Sequence, residues 1–139
     1  MLLAGDSFSA SYPATATSVP LARADVTEFA EQAGVAADEL DTIRLAVSEA
    51  VANAVLHAYD RPAGMISVSV NCLPGELWLF VGDTGTGFRV RRNSRGLGLG
   101  LALIARLVDD FEILSRGTGG TELRMLFKLA DVAASDDQD

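Results

Sequence analysis

The hydrophobic and polar positions along this 139-residue chain change period several times, and each change marks an element. Residues 7–13, SFSASYP, alternate weakly and predict an edge strand. From Leu21, LARADVTEFAEQAG places Ala22, Val26, Phe29, Ala30 and Ala33 on one helical face, with Gly34 as its C-terminal cap. A longer helix is predicted over 37–59, where Leu40, Ile43, Val47, Ala50, Val51 and Ala54 recur at spacings of three and four. Two period-two runs, 65–71 and 76–82, flank a Pro-Gly turn and predict a β-hairpin. After the glycine–leucine alternation that starts at Arg95, a third helix is predicted over about 99–110. FEILSR and TELRMLFKL then flank GTGG as a second hairpin, with Thr121, Leu123, Met125, Phe127 and Leu129 on one strand face. This order predicts a two-layer α/β (α+β) sandwich: a mixed or mainly antiparallel sheet with the helices on one face.

Composition fits that picture. Hydrophobic residues make up 49% of the chain, enough for a packed core. No internal linker interrupts the pattern, so a single domain is expected over residues 1–130, followed by an acidic flexible tail, DVAASDDQD, over 131–139. The net charge of −8 argues against direct nucleic-acid or anionic-membrane binding, because both require a positive field. Cys72 is the only cysteine, which excludes an internal disulfide and a multi-cysteine metal site. The opening residues lack a basic n-region, and no apolar run reaches membrane-spanning length; a cytoplasmic protein is the expectation.

Three features carry candidate chemistry. Glu49, Asn53 and His57 follow one another at i, i+4 and i+8 and so line one side of the long helix. Such a stripe is often just a solvated face, but no other ionised residue lies between Glu49 and Asp60. A carboxylate and an amide one turn apart suit a hard cation or a phosphate-bound water. The second feature is DTGTGF, where Asp83 ends an apolar strand and Gly85 and Gly87 free the chain to turn. A plain turn explains it equally well, yet a carboxylate there can accept a hydrogen bond from the exocyclic amine of a base.

The third feature is RGLGLGLALIARL. Glycines ahead of a helix leave amide N–H groups pointing outward at the positive end of the helix dipole, an anion site. Arg89, Arg91, Arg92 and Arg95 concentrate positive charge beside Gly96, Gly98 and Gly100. A loop that merely happens to be basic is the competing explanation. The phosphate-binding motif of P-loop proteins is excluded, since the only lysine is Lys128 in a late strand. The dinucleotide fingerprint fails because Leu101 or Leu103 stands where its third glycine belongs.

Taken in order, SEAVANAVLHAY, DTGTGF and RGLGLGLALI, with GTGGT following, resemble the N, G1 and G2 boxes of the GHKL ATP-binding superfamily, the Bergerat fold. Within it, LAVSEAVANAVLHAY is most similar to the anti-sigma-factor serine/threonine kinases. The resemblance implies ATP and Mg²⁺ as cofactors, with Asn53 coordinating the metal and Glu49 as the general base toward a protein hydroxyl. It implies adenine recognition by Asp83 helped by Thr121, a pocket shaped by Gly85 and Gly87, and phosphates wrapped by Gly96, Gly98 and Gly100. Arg95 joins the phosphate side, and His57 takes a structural or phosphate-side role. The implied partners are a sigma factor and an anti-sigma-factor antagonist, and the implied state is a homodimer. Only seven residues separate Phe88 from Gly96, fewer than in the lids of the best-known kinases of this family, and a shorter lid covers the γ-phosphate less. An ATP-gated protein-binding regulator that transfers no phosphate, and a slow ATPase without a protein substrate, stand beside the kinase reading.

Overall fold

Elements form where the residue pattern asks for them, with instructive shifts at the ends. A computed structural model describes residues 6–58, 64–83, 95–115 and 120–130. The chain runs β1 (Asp6–Pro13), α1 (Ser18–Gln32), α2 (Ala37–Ala58), β2 (Met65–Leu73), β3 (Glu76–Asp83), α3 (Arg95–Leu107), β4 (Asp110–Ser115) and β5 (Thr121–Lys128). The expected tail, 131–139, lies outside the described residues.

Helix α1 begins before the predicted Leu21 because Pro20 falls in its first turn, where a missing N–H costs nothing. The Ser18 hydroxyl donates to the Pro13 carbonyl at 2.6 Å and pins the helix to the end of β1. At the other end Gly34 adopts φ +100°, its N–H bonds the Glu31 carbonyl at 3.0 Å, and the Val35 N–H bonds the Ala30 carbonyl at 3.1 Å. That pair of bonds is a Schellman cap, as the position of Gly34 predicted. Between β2 and β3, Pro74 and Gly75 make a two-residue turn in which Gly75 takes φ +77°.

All strand pairs are antiparallel, so the mixed alternative falls away, and the strand order is β1-β2-β3-β5-β4. Strand β5 therefore inserts between β3 and β4. Alternation sends Ile66, Val68 and Val70 of β2, Leu77 and Leu79 of β3, and Met125 of β5 to the helix-covered face. They meet Val26 of α1 and Ile43, Val47 and Val51 of α2 in one core. Helices α1 and α2 lie over β1, β2 and β3, whereas α3 packs mainly against α2. The helical layer is thus thin over the β5–β4 end of the sheet, next to α3.

Helix α3 departs furthest from expectation. It starts at Arg95 and ends at Leu107, so the glycine run lies inside it, and Asp110 opens β4 rather than closing the helix. At the exit the Asp109 N–H bonds the Leu126 carbonyl at 2.9 Å and its carboxylate accepts the Lys128 N–H at 2.6 Å, which starts the β4–β5 pairing.

Candidate functional site

Buried polar side chains need partners, so they are the natural markers of a site. Among the described residues four polar side chains are buried: Ser18, Asn53, Asp83 and Thr121. The hydrogen bond to Pro13 accounts for Ser18. The other three line a single crevice of about 350 Å³, counting its open mouth. Its remaining walls are apolar: Ala50, Ala54, Val81, Leu101, Ile113 and Leu123. An apolar cleft with a few converging polar groups is the usual form of a small-molecule site.

Each polar group arrives from a different element. Asn53 lies on the inward side of α2, only 7% exposed, and its Nδ2 atom has no hydrogen-bond partner among the described residues. Leaving a buried amide unsatisfied costs roughly 1–3 kcal/mol, which a ligand carrying an acceptor would recover. Asp83, 1% exposed, ends β3, and Thr121 begins β5 directly opposite it. That adjacency follows from β5 inserting beside β3. Opposed residues of an antiparallel pair have their Cβ atoms about 4.5–5.5 Å apart, so both side chains can address one ligand group.

The opposite wall belongs to α3. Gly100 packs so closely on α2 that a Cβ there would lie 2.7 Å from Nδ2 and 2.9 Å from Oδ1 of Asn53. Gly96 and Gly98 fall among the first four residues of α3, whose N–H groups have no acceptor within a helix. Gly100 falls beyond them, so its amide belongs to the helix ladder rather than to an open helix end.

The other predicted residues are placed as follows. Glu49 sits one turn before Asn53, half-buried, and is not among the residues lining the crevice. His57 is on α2 near its end, and Arg95 is the first residue of α3. Gly85, Gly87, Arg89, Arg91 and Arg92 lie outside the described residues. The apolar walls went unpredicted. Ala50 and Ala54 carried a weak signal, being two of the small residues that surround Asn53 on α2. Ile113 carried none: it pairs with Leu123 on an edge strand, and only the thin helical cover leaves it facing the crevice.

Two groups outside the crevice have displaced proton affinities. Burial, the hydrogen bond donated to Asp25 at 2.7 Å and that carboxylate's charge all raise the pKa of Tyr12. Burial, and then the Asp6 charge, push the Cys72 thiol up, which keeps it protonated and inert. Among the described residues no cluster of three His, Cys, Asp or Glu side chains converges on a metal position, and no helix is long and apolar enough to cross a membrane.

Comparisons with known proteins bear on the family and the fold. Residues 12–127 match the family described as the histidine kinase-like ATPase domain. The chain is 31% identical over 115 residues to the anti-sigma F factor of Caldanaerobacter subterraneus subsp. tengcongensis, covering 75% of this chain and 80% of that protein. It is 34% identical over 122 residues to the anti-sigma F factor of Heyndrickxia coagulans, covering 78% and 83%. It is 31% identical over 117 residues to the serine-protein kinase RsbW of Bacillus thuringiensis, covering 73% of each. Among solved structures, that of the RsbU and RsbW domains of Rv1364c from Mycobacterium tuberculosis superposes with a TM-score of 0.70 at 27% identity, over 88% of this chain and 32% of that one. The chain belongs to the histidine kinase-like ATPase domain family, and its relatives include anti-sigma F factors and RsbW serine-protein kinases.

Proposed function

We propose that the crevice binds Mg²⁺·ATP and that the chain is an anti-sigma-factor serine/threonine kinase, which phosphorylates an antagonist protein and sequesters a sigma factor. The observation that carries this reading is the convergence of Asn53, Asp83 and Thr121 in one otherwise apolar crevice. The anti-sigma F factors and RsbW kinases among its relatives suggest the partner class; a homodimer in the cytoplasm completes the proposal.

The residues suit those ligands chemically. A carboxamide offers a hard oxygen to Mg²⁺ at one end and an N–H to a phosphate oxygen at the other, and the buried Nδ2 of Asn53 needs such an acceptor. Mg²⁺ ordinarily takes only one or two protein oxygens and completes its shell from phosphates and water, so a single Asn53 is a fitting contribution. Bound there, the ion would neutralise phosphate charge. Asp83 accepts the adenine amino group with Thr121 beside it, while Ile113, Leu101 and Val81 cover the ring. The free amides of Gly96 and Gly98, with Arg95 and the dipole of α3, hold the phosphates. The adenine-pocket role of Gly85 and Gly87 and the phosphate-side role of His57, implied by the family resemblance, belong to the same proposal. Glu49 accepts the proton of the attacking hydroxyl and must lie within hydrogen-bond reach of it.

The decisive experiment incubates the protein with γ-labelled ATP and the candidate antagonist encoded nearby, followed by phosphosite mapping. Label on one serine or threonine is expected, and Glu49→Ala should slow transfer roughly 10²- to 10⁴-fold while ATP affinity holds. The position of Glu49 outside the crevice lining favours one second reading, ATP-gated partner binding without transfer. ATP-dependent partner capture with no label transferred would select it.

A further inference from the structure

We infer that Gly100 is a positioning residue for Asn53: its missing side chain reserves the volume that the Asn53 carboxamide occupies. A Cβ at position 100 would stand 2.7 Å from Nδ2, 2.9 Å from Oδ1 and 3.1 Å from Cγ of Asn53. Real Cβ atoms essentially never come within 3.0 Å of such atoms, so the contacts with Nδ2 and Oδ1 force a shift, and the contact with Cγ is itself tight. Because all three carboxamide atoms are met at once, no slide of a single atom relieves the contact; the whole group must turn away. Asn53 is 7% exposed and lines the crevice, so turning away carries its carboxamide out of its present place at the crevice wall.

The placement of Gly100 within α3 supports the same conclusion. Its amide lies past the first turn, so it is not one of the N–H groups that a helix end offers an anion. A glycine inside a helix is unfavourable relative to alanine, which makes its presence there a matter of space rather than of backbone propensity. What it protects is a buried carboxamide in the crevice whose Nδ2 has no hydrogen-bond partner among the described residues. The consequence for nucleotide binding rests on the Mg²⁺·ATP reading above; the steric relationship does not.

A double-mutant cycle separates the two. The wild type, Gly100→Ala, Asn53→Ala and the double variant are compared by melting temperature without ligand, and by calorimetric titration with Mg²⁺·ATP. With Asn53 truncated, Gly100→Ala should raise the melting temperature by roughly 3–5 °C, the ordinary gain of alanine over glycine in a helix. With Asn53 present, that gain should vanish or reverse. Gly100→Ala alone should weaken Mg²⁺·ATP binding about 10- to 100-fold, as loss of a group that orients a metal ligand does, and change it less than about twofold when Asn53 is already absent. Equal melting shifts in both backgrounds would overturn the inference, as would equal losses of affinity, since the glycine would then act without Asn53. If Gly100→Ala does not fold, folding of the double variant supports the inference and its failure to fold refutes it. Unchanged Mg²⁺·ATP affinity in Asn53→Ala would sink the metal assignment alone, leaving the ligand-free melting cycle to decide the role of Gly100.

Discussion

Asp83, the last residue of β3, and Thr121, the first of β5, are direct cross-strand partners, both buried at one wall of the crevice. A carboxylate and a hydroxyl so placed would offer acceptors and a donor to the edge of a purine, as the proposed function requires. Asp83→Asn replaces one acceptor with a donor and removes the charge. ATP affinity should fall roughly 10- to 100-fold, the equivalent of one charge-assisted hydrogen bond, and discrimination against GTP should narrow. Competition titrations with both nucleotides check this. Retention of wild-type ATP affinity would remove Asp83 from base recognition.

Asn53 is expected to act through the metal. In the presence of Mg²⁺, Asn53→Ala should bind ATP more weakly than the wild type; with EDTA the two proteins should converge. Calorimetry under both conditions provides the comparison. A deficit of equal size with and without the metal would mean that Asn53 contacts the nucleotide by another route.

Ile113 is 36% exposed, because the helical layer is thin over β4. A bound ring would cover it. Ile113→Ala should therefore cost about 1–2 kcal/mol of ATP binding, roughly 5- to 30-fold, with little change in the melting temperature of the free protein. A large melting loss with intact affinity would make Ile113 a core residue instead of a binding wall.

Tyr12 ties β1 to α1 through the hydrogen bond its hydroxyl donates to Asp25 at 2.7 Å. Tyr12→Phe should destabilise the fold by about 1–2 kcal/mol in urea unfolding near neutral pH. The pH dependence has a definite sign. The folded-state pKa of Tyr12 is raised, so its contribution is complete below the pKa of a free tyrosine, about 10, and declines as pH climbs above it. The stability gap between wild type and variant should stay constant between about pH 6 and 9 and shrink at higher pH. A gap that widens there would contradict the assignment.

Much of this protein is written locally along the chain. Period-three-to-four spacing marks α1 and α2, and period-two alternation marks β2, β3 and β5. Gly34 and Pro74-Gly75 punctuate them, because positive φ and a fixed proline φ are properties of single residues. Asn53 stands out in the sequence as part of a polar stripe on an otherwise apolar helix and Asp83 as the acid that ends an apolar strand, whereas the role of Thr121 follows only from the family resemblance.

What the sequence left open depends on contacts between distant segments. Nothing local dictates that β5 slips between β3 and β4, yet that strand order alone brings Thr121 opposite Asp83 and leaves Ile113 at the crevice wall. The start of α3 was likewise misplaced, because glycines read as helix breakers until tertiary packing outweighs propensity. Only the approach of α3 to α2 shows that Gly100 is needed for space beside Asn53. Periodicity tells each residue which way to face; the packing of one element on another determines what it meets there.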